Sequence, residues 1–80
     1  SFEHNSFVII GKGREPGEKS VVVVDHGTYL GFGFVDETFS AQGMEDFKGA
    51  MTRYNDNKDV QQIIRNHMRG KHKDKVIVFE

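Results

Sequence analysis

Two strand-like apolar runs separated by a dipeptide that favours chain reversal constrain this chain more than any other feature. Ser20-Val21-Val22-Val23-Val24-Asp25 is almost wholly β-branched, and the stiff χ1 of valine suits a pleated sheet better than a helix. After His26-Gly27 the chain resumes as Thr28-Tyr29-Leu30-Gly31-Phe32-Gly33-Phe34-Val35-Asp36. Glycine, and short polar residues more than most, tolerate positive φ, so His26-Gly27 is read as the two-residue loop of a β-hairpin. In that register Asp25 faces Thr28, Val24 faces Tyr29, Val23 faces Leu30, Val22 faces Gly31 and Val21 faces Phe32. Side-chain alternation then gives Val21, Val23, Leu30, Phe32 and Phe34 one face, the expected seat of the helices. The other face holds Val22, Val24, Tyr29, Gly31, Gly33 and Val35. Two glycines there leave room for a second backbone, which reads as an interface made by Val22, Val24, Tyr29, Gly31 and Gly33; a bulge or a sharply twisted strand is the alternative.

The remaining elements follow from period and punctuation. Phe7-Val8-Ile9-Ile10 is a strand, ended by the glycine- and proline-bearing loop Gly11 to Lys19. Ser40 or Gly43 caps a first helix with Glu45 and Asp46 in its opening turn and Met44, Phe47, Met51 and Tyr54 on its buried side. Asp56 to Gly70 reads as a second helix: Val60, Ile63, Ile64, His67 and Met68 line one stripe, and Gly70 supplies the left-handed exit. Lys75 to Phe79 closes the chain as a strand. The expected fold is α+β, a small antiparallel sheet with two helices packed on one face, in the order β-β-β-α-α-β.

Eighty residues make a single domain, and a chain this short buries roughly 60 to 65% of the surface its unfolded form exposes. Without cysteine it is held by packing alone, as expected in the cytoplasm. Its longest apolar runs fall far short of the ~20 residues that span a bilayer, so no membrane partner is expected. The polar start lacks the layout of a signal peptide. Residues 1–80 read as one domain, excised from a larger protein.

The net charge of −1 is unevenly spread. From Arg65 onward Arg65, Arg69, Lys71, Lys73 and Lys75 face two acids, Asp74 and Glu80, whereas the Asp36 to Asp59 segment carries six acids against Lys48, Arg53 and Lys58. Such a corner suits a nucleic-acid backbone; the plainer account is a solvated helix end, where cations complement the dipole.

Catalytic readings fail on spacing. The Gly11 to Ser20 loop is not a phosphate-binding P-loop, because Glu18 intervenes between Gly17 and Lys19 and a strand follows instead of a helix. Gly11, Gly13 and Gly17 miss the dinucleotide fingerprint by one position. Of the four histidines, His4, His26, His67 and His72, the last two are five apart across a helix end, a spacing that does not put both on one helical face, and no carboxylate pattern completes a metal shell. Asp25-His26 beside Ser20 or Thr28 makes a triad on paper alone, since a hairpin tip does not bury and orient three groups. Asp56 with Asp59, and Glu45 with Asp46, sit at helix starts, where the dipole accounts for them. Neither metal nor cofactor is expected. With Phe32 and Phe34 assigned to the core, Tyr29 remains as the one ring free for stacking on a base.

The strings Phe7-Val8-Ile9-Ile10-Gly11-Lys12-Gly13-Arg14, Glu18-Lys19-Ser20-Val21-Val22-Val23-Val24, Tyr29-Leu30-Gly31-Phe32-Gly33-Phe34-Val35-Asp36 and Asp56-Asn57-Lys58-Asp59-Val60-Gln61-Gln62-Ile63-Ile64 carry a resemblance. They look like the carboxy-terminal region of bacterial exonuclease proteins related to the DNA polymerase III epsilon subunit. In those relatives a DEDD-type exonuclease domain is followed by a GIY-YIG nuclease domain similar to that of UvrC excinucleases, and then by a tail of this kind. Neither set of nuclease motifs occurs here, so no catalytic residue carries over. The resemblance implies a non-catalytic accessory domain of a replication or repair exonuclease. Its expected partners are the upstream nuclease domains of the same chain and DNA, the latter through Arg65, Arg69, Lys71 and Lys73. The alternative is a protein-interaction or homodimerisation module in which Val22, Val24, Tyr29, Gly31 and Gly33 form the contact.

Overall fold

A computed structural model of the chain describes residues 2–52, 64–65 and 74–80. Four strands form one antiparallel sheet: β1 (Phe7–Lys12), β2 (Glu18–Asp25), β3 (Thr28–Asp36) and β4 (Lys75–Val78). Their spatial order is β3-β2-β1-β4, so the valine-rich β2 and the Phe7-Val8-Ile9 run of β1 lie in the middle. Val8, Val21, Val22, Val23 and Val24 are at most 1% exposed, which is what a central strand with both faces covered requires. The reversal between β2 and β3 occurs at His26 and Gly27, both at positive φ (51° and 78°), the geometry of a turn whose twist matches the flanking strands. Asp25 pairs with Thr28 and Val24 with Tyr29, as the sequence predicts.

One residue further the register departs from expectation. Val23 pairs with Gly31, Val22 with Phe32, Val21 with Gly33 and Ser20 with Phe34, so Leu30 is an extra residue bulged out of the ladder. A one-residue slip moves every later side chain to the other face. Phe32 and Phe34 therefore join Val22, Val24, Phe7, Ile9 and Tyr29 in one cluster. Leu30 stays with Val21 and Val23 as expected, and Val35 instead joins them beside Val8 and Phe47. The expected grouping of Val21, Val23, Leu30, Phe32 and Phe34 is corrected accordingly.

The helix α1 (Met44–Ala50) starts after Gly43, whose extended backbone makes no side-chain cap bond, and carries Glu45 and Asp46 in its first turn, where acids suit the dipole. It packs through Phe47, 4% exposed, against Val8, Val21 and Val23. Its exit is stitched to β3 by a two-way bridge, Phe32 N to Thr52 O at 3.2 Å and Thr52 N to Phe32 O at 2.6 Å. Gly33 makes that approach feasible: a Cβ placed there would lie 2.2 Å from Ala50 O and 2.9 Å from Met51 Cα. A second backbone does come close to a glycine, and it is the chain's own.

These contacts overturn the expected architecture of two helices on one face and the order β-β-β-α-α-β. The described residues give a mostly-β unit, four antiparallel strands with one seven-residue helix, in the order β-β-β-α-β. Most of the predicted Asp56–Gly70 helix lies outside the described residues. Ile64 and Arg65 of that stretch are helical, but Ile64 packs with the Val22, Val24 and Phe32 cluster, on the side of the sheet away from α1. Both sheet faces are apolar, so both attract cover. Finally, Phe79 N donates to Ser6 O at 2.9 Å, while the Glu80 carboxylate accepts from Asn5 N at 3.0 Å and lies 2.8 Å from His4 Nδ1, fastening the segment before β1 to the end of β4.

Candidate nucleic-acid interface

The β1–β2 loop is closed on itself. Gly13 N donates to Glu18 O at 2.9 Å, and the Glu18 carboxylate accepts from Arg14 N, Nε and Nη2 at 2.7, 2.9 and 2.7 Å. The Arg14 guanidinium also stands 4.1 Å above the Phe34 ring centroid, a cation–π contact. Arg14 holds the Glu18 carboxyl down at about 2. The Gly13 and Arg14 amides and the Arg14 guanidinium are thus all engaged by Glu18.

Beside this loop, on the α1 side of the sheet, lies a half-open cleft of about 750 Å³. Ile10, Val21, Val35, Phe39, Ile77 and Phe79 line its apolar part, and Lys12, Lys19 and Lys75 its charged part together with the carboxylates of Glu18, Asp36, Glu37 and Asp74. Strand alternation explains the company, since Lys12 follows Ile10 by two residues, Lys19 precedes Val21 by two and Lys75 precedes Ile77 by two. Lys12 and Lys19 are direct partners across β1 and β2, and Lys75 is the β4 partner of Ile10. All three lysines are exposed, and among the described residues none makes an ion pair.

A second polar cluster stands at the hairpin tip. The Ser6 hydroxyl donates to Asp25 Oδ1 at 2.8 Å and accepts from His26 N at 3.1 Å. Lys48 Nζ of α1 lies 2.7 Å from Asp25 Oδ2, and His26 Nδ1 lies 3.3 Å from Oδ1. Lys48 first, then Ser6, then the His26 charge hold the Asp25 carboxyl at about 2. A carboxylate that acidic is a poor base for the Ser6 proton, so the cluster fastens α1 and the start of β1 to the turn. Sequence reasoning named Asp25 and His26 here but missed Ser6 and Lys48, which arrive from 19 and 23 positions away in the chain with no spacing to betray them.

Of the residues singled out for nucleic acid, Arg65 is exposed; Arg69, Lys71 and Lys73 lie outside the described residues. The interface set is divided by the β3 bulge. Val22 and Val24 are buried with Tyr29 packed on their cluster, whereas Gly31 and Gly33 pair with Val23 and Val21, in register with the face that carries α1. Those five residues do not share one patch. His4 and His26 are placed as above, and His67 and His72 lie outside the described residues. The lysine row on β1, β2 and β4 was missed as a unit, although two-residue offsets from apolar neighbours on each strand were a usable signal. Among the described residues no helix is long and apolar enough to cross a membrane. Comparison of the chain with known protein families, with curated proteins and with solved structures returns no match.

Proposed function

We propose that this chain is a non-catalytic accessory domain of a DNA-processing nuclease of the DNA polymerase III epsilon-like kind, and that it adds contacts to the nucleic-acid backbone. The resemblance of its strings to the tails of such exonucleases supports the enzyme class. The observation that carries the backbone contact is the row Lys12, Lys19 and Lys75, exposed on one sheet face without an ion pair among the described residues. Like charges placed directly across two strands cost stability, a cost that bound phosphate offsets. Contacts of this type ignore sequence and weaken steeply with salt: three phosphates neutralised on a duplex give a slope of about −2.7 in log affinity against log salt.

Fluorescence anisotropy with labelled DNA at low salt tests the proposal. Two charge-reversed variants are compared with the parent chain, one at Lys12, Lys19 and Lys75 and one at Arg65, Arg69, Lys71 and Lys73. Loss of binding in the first variant is the expected result. No binding by the parent chain, or equal binding by all three proteins, removes the DNA-contact role.

A further inference from the structure

Resting on that reading, we infer that the cleft takes single-stranded nucleic acid, with phosphate on Lys12 and Lys19 and a base seated against the apolar lining. Four carboxylates also border the cleft, Glu18, Asp36, Glu37 and Asp74. Glu18 is held by Arg14, and Asp36 accepts from the amide and hydroxyl of Thr38. Glu37 follows the outer strand β3, and the Asp74 carboxylate lies over Gly11 of β1, which alternates with Lys12 and so addresses the other sheet face. The paired lysines on the two central strands therefore make the cationic part of the cleft.

Shape then chooses the strand state. A duplex offers phosphates and groove edges and keeps its base faces stacked inside, so it has nothing to place on Val35, Phe39 and Ile77. A single strand presents phosphates and bare base faces together, the combination that sequence-tolerant single-strand sites exploit. The cleft volume of about 750 Å³ falls within the ~300–1,000 Å³ of ordinary ligand sites. Phe39 contributes an edge of that lining while resting on Phe47 at 5.6 Å between ring centroids, so it is held in place before any ligand arrives.

The test uses the chain itself, a labelled oligothymidylate of about a dozen nucleotides and a mixed-sequence duplex of equal length, at about 50 mM salt. The expected result is at least about tenfold tighter binding of the oligothymidylate, the factor that one stacked base supplies. Lys12→Glu with Lys19→Glu weakens both ligands, whereas Phe39→Ala reduces the single-strand preference and leaves duplex affinity in place. Amide shifts of Ile10, Val21, Val35 and Ile77 in the unmutated chain on titration with oligothymidylate read the site without relying on any variant's folding. Equal affinity for the two DNAs overturns this inference and leaves the accessory-domain reading standing; no affinity for either overturns both. Amide shifts confined to the opposite sheet face, or tighter binding of poly-glutamate than of oligothymidylate, also overturn it, the latter in favour of an acidic protein segment.

Discussion

Lys48 Nζ sits 2.7 Å from Asp25 Oδ2, an ion pair that joins the last turn of α1 to the tip of the β2–β3 hairpin. Asp25 is 13% exposed at its side chain and accepts from Ser6 as well, so three segments distant in sequence meet at one carboxylate. Its carboxyl is held at about 2, below the ~3.9 of an unfolded chain, so the folded state favours the ionised form. The stabilisation is complete above the unfolded value and is lost as pH falls toward 2. Urea midpoints measured from pH 6 down to about 2 should show Asp25→Asn less stable than the parent at the upper end and with a shallower acid limb. Glu18, also held at about 2, supplies part of the slope that remains, with Asp36, held down by Thr38, and Glu80, held down by the Asn5 amide and His4, supplying more; Glu18→Gln should remove its own share. Parallel acid limbs for Asp25→Asn and the parent would show that Asp25 does not fasten the tip.

Two glycines should respond in opposite directions to the same added methyl group. At Gly33 a Cβ would meet Ala50 O at 2.2 Å, and backbone cannot swing aside as a flexible side chain does. Gly33→Ala should therefore cost about 1–3 kcal/mol or more, the range for forced overpacking. Gly49 lies within α1 with no atom within 4 Å of the added Cβ, so Gly49→Ala should gain up to about 1 kcal/mol from helix propensity. Chemical denaturation of the two single variants checks both signs.

Phe47 is the residue through which α1 holds the sheet. It is 4% exposed and meets Phe39 and Phe79 with ring centroids at 5.6 and 6.0 Å. Truncation to alanine should cost about 3–5 kcal/mol. Against a total of roughly 4–12 kcal/mol for a domain of this size, that removes about a quarter of the stability at one end of the range and all of it at the other. Phe47→Ala is expected to show a broad, early thermal transition by circular dichroism, while Phe47→Leu, which keeps an apolar group in the gap, should keep a cooperative one.

The hairpin illustrates what was legible beforehand. His26-Gly27 and the flanking polar pair Asp25 and Thr28 set the tip, because turn chemistry is local and the residues that decide it are adjacent. A bulge in this strand was the stated alternative to an interface, but its place at Leu30 was not legible, since nothing about a leucine marks it as the extra residue, and one slip exchanged the faces of Phe32, Phe34 and Val35. That error placed the glycines beside Val22 and Val24 and turned an internal close approach, Gly33 under Ala50, into an apparent external interface. Patterning likewise located α1 but not its contact with Gly33, for such contacts join positions far apart in the chain. The lysine row was readable strand by strand; its convergence depended on pairings such as Lys12 with Lys19 and Ile10 with Lys75.

That pairing leads to a last expectation in which stability and binding part company. Lys12 and Lys19 stand opposite each other as like charges, and directly opposed like charges are destabilising while opposite charges gain about 0.2–1 kcal/mol. Lys19→Glu converts the pair to an attractive one without touching the core, since the position is exposed. The variant should therefore unfold at a higher urea concentration than the parent, most clearly at low salt where screening is weak, yet bind oligothymidylate less tightly. A site retained for its ligand is expected to show this trade, because the repulsion that weakens the free protein is what the phosphate neutralises. Should Lys19→Glu be both more stable and equally good at binding, the repulsion would have no ligand to serve, and the lysine row would be ordinary solvated surface.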